Sequence, residues 1–445
     1  MKRFISILLV LVLLVSCTGC SLNFFSVESL LSPPMQSGKN GELQEAFNTL
    51  KKNDKIQLKT PLAGDYQTSF VLFDVNGDKN DEAFIFYTDA SVDATVRMAF
   101  LQFVDDEWQI STDIKGGGNS VYDIDFSDMN NDGLSEVFIS WSLFESKVKK
   151  ITGIYSPVVD GDGVVTLESL GSEYCDAREF VDFNGDAKDD FVVVYHDDTG
   201  DTQKTFLRLF SLSQSHELVK YGEIPLDSAI TTVTRIQSDV VSDSKSDITR
   251  LFIDCQKTEK MIFTEMVYWN SELSVPVRAI SKPSLTNTRS HKVFSMDVDN
   301  DGLLEIPVIT TLPGDEKQFS VTYYDDVYTF TLLEWKNLKG DNIDESVKTL
   351  NNPLDMYLLV FPWGNEVSVK YDSVRDALVF YEWKEETREY QAELFAIARR
   401  NPGEEFENNN LLYEDDNTVY YFEITGQGVA FGITAELLGQ YFIKN

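Results

Sequence analysis

Four short stretches of this sequence put side-chain oxygens at alternate positions, which is the arrangement a hard cation needs. The first is Asp74-Val75-Asn76-Gly77-Asp78-Lys79-Asn80-Asp81-Glu82. Residues 128–136, 182–190 and 297–305 repeat it: Asp at position 1, Asn or Asp at 3, Asp at 5, and Asp or Glu at 9. Calcium takes six to eight oxygen ligands at flexible angles, and a tight loop can supply them from alternate side chains plus one backbone carbonyl. The candidate side-chain ligands are Asp74, Asn76, Asp78 and Glu82; Asp128, Asn130, Asp132 and Glu136; Asp182, Asn184, Asp186 and Asp190; and Asp297, Asp299, Asp301 and Glu305. The position-7 carbonyls of Asn80, Leu134, Lys188 and Leu303 complete the sets. Glycine at position 4 or 6 relieves the left-handed backbone such a turn requires.

Apolar runs must hold these loops. Residues 70–73 lead into the first and 83–87 lead out; 137–139 and 191–194 follow the second and third. Their β-branched and aromatic content reads as strands. An EF-hand has its last carboxylate at position 12 and helices on both flanks, so it does not fit. Asn-Gly-Asp and Asn-Asp-Gly are good turns in their own right, but turn preference does not fix carboxylates at 1, 5 and 9 in four copies.

Asp74, Asp128 and Asp182 stand 54 residues apart, and Asp297 follows 115 residues later, close to two periods. The intervening copy, 239–247, keeps Asp239, Asp243 and Asp247 but has Val241 at position 3, so it reads as a degenerate metal loop that lacks one ligand and either binds an ion weakly or binds none. A period of this length with about four short strands per unit predicts an all-β fold, a β-propeller of five to seven blades of about 54–58 residues. Each blade covers only its neighbours, so the array must close or be capped.

Repeats of the form Asp-x-Asn-Gly-Asp-x-x-Asp-Glu before an apolar strand resemble the FG-GAP or VCBS repeats of calcium-bearing β-propellers, found in integrin heads and many bacterial surface proteins. The resemblance covers 61–345. It implies ions that brace the loops between blade strands, and it implies no single activity. Lys79 and Ala187 stand where glycine is usual in the family, and Val241 breaks one site.

The amino terminus is basic, residues 4–15 are apolar but too short to span a bilayer stably, and small residues with cysteine follow. Residues 1–20 therefore read as a lipoprotein export signal, with Cys17 or Cys20 as the lipidated residue. The chain is expected outside the cytoplasm, held to the membrane by lipid alone. Residues 21–60 read as a spacer with Pro33 and Pro34, then a short helix with Leu43, Ala46, Phe47 and Leu50 on one face.

The formal charge of −35 argues against nucleic acid or anionic lipid surfaces as partners, because both need a positive face. The ligand positions hold three acids in each of the first three loops and four in the last. Unneutralised, they should repel and loosen the fold, making calcium a condition of folding. Cys175 and Cys255 could pair, or be small buried residues; they fall in different repeats and no spacing rule joins them.

From 346 the repeat grammar stops, and 346–445 reads as a small α+β domain or as closing blades, ending in a helix over 435–442 capped by Thr434. No catalytic constellation stands out. His196, His216 and His291 lack partners at zinc spacing, and neither a nucleophile elbow nor a phosphate loop occurs. Residues 160–163 read as a hairpin turn, 116–118 as a flexible connection, and Trp108, Trp141, Trp269 and Trp335 as packing residues in preference to a sugar platform. The functional expectation is a non-catalytic surface protein that binds a protein or glycan. The alternative is an extracellular enzyme acting on polysaccharide in the propeller's central channel.

Overall fold

The computed structural model describes residues 39–51, 55–143, 150–197, 204–242, 247–258, 261–279, 288–289, 293–314, 319–323, 326–339, 342–354, 357–402, 410–414 and 418–444. The export signal with Cys17 and Cys20, the spacer up to residue 38, Asp243 and His291 lie outside them. The chain divides into two compact units, one taking the described helix and residues 103–110, the other 55–102 and 111 onward. The helix runs Lys39–Lys51, and it buries Leu43 and Phe47 completely.

The fold is all-β, built from antiparallel sheets, none of which closes on itself. The first has strands Ile56–Leu58, Phe70–Phe73, Glu82–Asp89, Val96–Val104 and Glu107–Lys115. The second has Ser120–Ser127, Glu136–Ser142, Lys150–Val159 and Val165–Tyr174; the third has Ala177–Val181, Asp190–Asp197, Lys204–Leu212 and Leu218–Pro225. Thr232–Ser242, Asp247–Thr258, Met261–Asn270 and Val275–Arg278 make the fourth. Ile306–Thr310, Phe319–Tyr323, Asp326–Lys339, Asn342–Asn352, Tyr357–Val360 and Phe442–Lys444 make the fifth. Val367–Asp372, Ala377–Lys384, Glu389–Arg400, Leu411–Glu414 and Val419–Ile424 make the sixth.

Central strands such as Glu136–Ser142 are buried almost throughout, because the second to fifth sheets are each covered on both faces. Side chains alternate across a strand, and the alternation sorts them between neighbours. Val137, Ile139 and Trp141 pack with Phe84, Phe86 and Phe100 of the first sheet, whereas Phe138 packs with Phe191 and Phe210 of the third. Likewise Val192 and Val194 join Leu251 and Ile253 of the fourth sheet, and Phe252 turns to Ile306 of the fifth. Fifth and sixth share Phe330, Leu350, Val367 and Phe380.

That last core bears on the C-terminal region. The boundary expected at 345/346 falls inside strand Asn342–Asn352, which pairs on both sides within the fifth sheet. Strand Phe442–Lys444 also returns to that sheet, pairing with Tyr357–Val360. Residues 346–444 therefore share sheets and core with the residues before them. Two short helices, Gly426–Phe431 and Ala435–Tyr441, precede the final strand, and Thr434 caps the second by accepting from the Leu437 N–H.

The glycine run is a correction. Residues 116–118 are not a flexible connection: Gly116 N–H donates to Val96 O at 2.9 Å, and a Cβ at Gly118 would overlap the Ser142 carbonyl. The bare backbone is required there because another strand passes against it. Residues 160–163 do form a hairpin turn, with Asp160 Oδ1 accepting from the N–H groups of Asp162 and Val164, both at 2.9 Å. Trp141 and Trp335 are buried in cores. Cys175 and Cys255 are both free and buried, in separate clusters.

Candidate metal centres

The first acidic loop joins Phe70–Phe73 to Glu82–Asp89, the second and third each join the leading strand of a sheet to the next strand, and the fourth precedes Ile306–Thr310, where Met296 and Glu305 form a bridge. All four have the same internal hydrogen bonding. The position-1 carboxylate accepts from the N–H groups of positions 5 and 6: Asp78 and Lys79 on Asp74 at 3.1 and 2.7 Å, Asp132 and Gly133 on Asp128 at 3.1 and 2.9 Å. Asp186 and Ala187 do so on Asp182 at 3.0 and 2.8 Å, and Asp301 and Gly302 on Asp297 at 3.0 and 2.9 Å. Position 5 accepts from the N–H of position 7 in every copy, which puts Asn80, Leu134, Lys188 and Leu303 at equivalent places.

The position-9 acids lie deepest. Glu82, Glu136, Asp190 and Glu305 are buried, and each accepts from the position-2 N–H, on Val75, Met129, Phe183 and Val298 at 3.0 to 3.1 Å. Burial pushes Glu82, Glu136 and Glu305 up to about 7, and the loops' other acids push the same way. Asp190 is pushed up to about 6, again chiefly by burial. The charged form is disfavoured because burial strips its water, the loop's other acids add repulsion, and the few hydrogen bonds it accepts do not balance that cost. A divalent cation at the loop centre would remove that penalty. In the fourth loop, carboxylate oxygens of Asp297, Asp299 and Glu305 lie within 4.8 Å of one another, a spacing at which one ion could be shared.

Positions 4 and 6 are left-handed in all four loops. Gly77 and Lys79 have φ of 73° and 74°, Asn131 and Gly133 59° and 88°, Gly185 and Ala187 81° and 64°, Asn300 and Gly302 61° and 89°. A Cβ in this region costs about 1–2 kcal/mol, partly offset because glycine orders at greater entropic cost. Ala187→Gly is therefore expected to stabilise the protein by about 0.5–1 kcal/mol in thermal denaturation, and Gly133→Ala to destabilise it by a similar amount.

The degenerate copy is built differently from the four intact loops. Asp239 to Ser242 continue the strand, paired with Arg250 to Asp247. Asp239 is not directed at a cation site: Arg250 Nε donates to its Oδ1 at 2.7 Å, and Nη2 engages Oδ2. Both side chains are 4% exposed. Asp247 is exposed at the start of the following strand.

Partners from other strands support the loops, and no pattern in the sequence announces them. Ser156 donates to Glu136 at 3.0 Å, and Asn337 Nδ2 to Glu305 at 3.3 Å. His216, read as an ordinary residue, lies with Nε2 3.5 Å from Asp132. His196 is bonded to Thr205 at 2.9 Å. Neighbouring loops also touch: Ser135 N–H donates to Val75 O at 2.8 Å, and Asn131 Nδ2 to Ala187 O at 2.8 Å. Such contacts join residues some 56 to 60 positions apart, so no local pattern could reveal them.

No family model matches this chain, and no curated protein does. Among solved structures, a crystal structure of a protein from Lactobacillus plantarum is similar at 9% identity, covering 74% of this chain and 84% of that one, with a TM-score of 0.27. A superposition that loose carries no argument about this protein. Among the described residues, no helix is long and apolar enough to cross a membrane.

Proposed function

We propose that this protein is a calcium-binding β-propeller of the FG-GAP or VCBS kind, exported and lipid-anchored at Cys17 or Cys20. On this reading it acts outside the cytoplasm as a non-catalytic surface binding or scaffold protein for a protein or glycan partner. The observation that carries the calcium assignment is the shared loop: four copies with one hydrogen-bond pattern, each with a buried carboxylate whose charge a hard dication would balance. Successive antiparallel sheets, each packed on the next from the first to the sixth, support the blade architecture, and on this reading 346–445 supplies closing blades. The basic, then apolar, then cysteine-bearing start supports export and lipidation.

The enzyme alternative would gain from a cluster of acids outside the loops and free to react. Asp123 and Asp125 form such a cluster, but the buried Arg178 holds both, at 2.8 and 2.5 Å. One guanidinium ties up both carboxylates, so neither is free to react and we do not favour that reading.

Glu136→Gln tests the proposal. The amide removes a buried charge while keeping the shape, so the calcium-free variant should melt higher than the parent. It should also bind one calcium fewer and gain less stability from the ion. A calcium-free melting temperature below the parent's, with calcium stoichiometry unchanged, would argue against a metal at this loop.

A further inference from the structure

A cleft of about 490 Å³ opens between the third acidic loop and the ends of two strands of the fourth sheet. This volume lies within the range of small-molecule sites. Asp182, Asn184 and Gly185 line it from the loop; Trp269, with Tyr268 and Asn270 beside it at the end of strand Met261–Asn270, lines it from the fourth sheet. Asp247, Ser271 and Glu272 are exposed at its rim. Trp269 is half-buried and held by edge contacts with Phe183 and Tyr221, at 6.2 and 5.6 Å between centroids. It is therefore a fixed aromatic surface, not a mobile one. Among the described residues the cleft is lined by acids and carries no lysine or arginine, so an anionic ligand would meet repulsion.

From this lining we infer that the cleft binds a neutral saccharide. Aromatic rings offer an apolar, electron-rich face to the C–H surface of a sugar. The Asp247 and Glu272 carboxylates accept hydroxyl protons, while Asn270, Ser271 and Tyr268 can also donate. A ligand that both donates and accepts, as a polyhydroxyl does, uses this lining fully; an ammonium or guanidinium group only donates. The inference rests on the surface-binding reading above. It also makes recognition depend on the ion, because Asp182 and Asn184 belong at once to the third metal loop and to the cleft wall.

The test presents the full-length protein, with calcium and with chelator, to immobilised neutral, uronic-acid and amino oligosaccharides and to a lysine-rich peptide. Neutral sugars should be retained, uronic acids should not, and chelation should weaken retention. Asp247→Ala and Glu272→Ala should each weaken it about tenfold with the melting temperature unchanged, since both side chains are exposed. Tyr268→Ala serves as the aromatic variant, because Trp269→Ala would disturb the core. Calcium-loaded protein that retains no neutral sugar would overturn the inference, as would unaltered retention by these variants or capture of the lysine-rich peptide instead. The calcium-induced melting shift, read on the same sample, reports separately on the metal proposal.

Discussion

In the absence of calcium, stability should fall as the pH rises from about 4.5 to about 7. Glu82, Glu136 and Glu305 titrate at about 7 in the folded protein against an ordinary 4.5, and Asp190 at about 6 against 3.8. Between the unfolded and folded values the native state holds more protons than the unfolded chain, so the slope of stability with pH is negative. The contribution is intact below the unfolded pKa and lost as the pH passes the folded one. Each tenfold change in proton affinity corresponds to about 1.4 kcal/mol; allowing for partial solvent access, we expect on the order of 2 kcal/mol per carboxylate. Four such losses are comparable with the total stability of many domains, about 5–15 kcal/mol. Calcium should reverse the trend, since it binds the ionised carboxylates and displaces their protons. Melting curves across this pH range, in chelator and in excess calcium, would check it. A melting temperature in chelator that stays flat or rises towards neutral pH would contradict the account.

Arg250→Met should be a strongly damaging substitution in the fourth sheet. Arg250 neutralises Asp239 inside the protein and extends through Nη1 to Asn337 at 3.3 Å, which in turn donates to Glu305. Asp239 Oδ2 also accepts the Leu304 N–H at 2.7 Å, so the pair holds the neighbouring acidic loop. Removing the guanidinium leaves a buried carboxylate without its cation, a change that costs about 3–5 kcal/mol. Denaturant unfolding should show that loss. Asp239→Asn in the same chain should recover much of it, because the stranded charge is then gone. A loss below about 1 kcal/mol, the range of exposed pairs, would mean that the pair does not carry the charge balance assigned to it.

The acidic loops were legible because their logic is local. Position 1 meets the N–H groups of positions 5 and 6, so a nine-residue window contains nearly the whole hydrogen-bond pattern. The strands beside them were legible for the same reason, through apolar runs that begin at position 9 or just after. What escaped was everything that depends on which strand or sheet lies alongside. The acids of 239–247 have the right spacing, but a guanidinium 11 residues along the partner strand claims Asp239, and spacing cannot say which positive charge a carboxylate meets. Residues 116–118 looked like a linker because glycine serves both flexibility and close approach; only the position of Ser142 decides between them. Similarly, the end of the acidic grammar at 346 suggested a domain boundary, yet the alternating apolar pattern runs on through Asn342–Asn352 and the sheet continues with it.

Calorimetric titration of the chelator-treated, full-length protein with calcium tests the central claim most directly. The account predicts about four ions bound, one for each intact loop and none for the 239–247 copy, whose Asp239 is already paired with Arg250. Absence of binding, or binding unchanged when Asp74, Asp128, Asp182 and Asp297 are replaced by alanine, would show that the loops are turns and remove the basis of the proposed function.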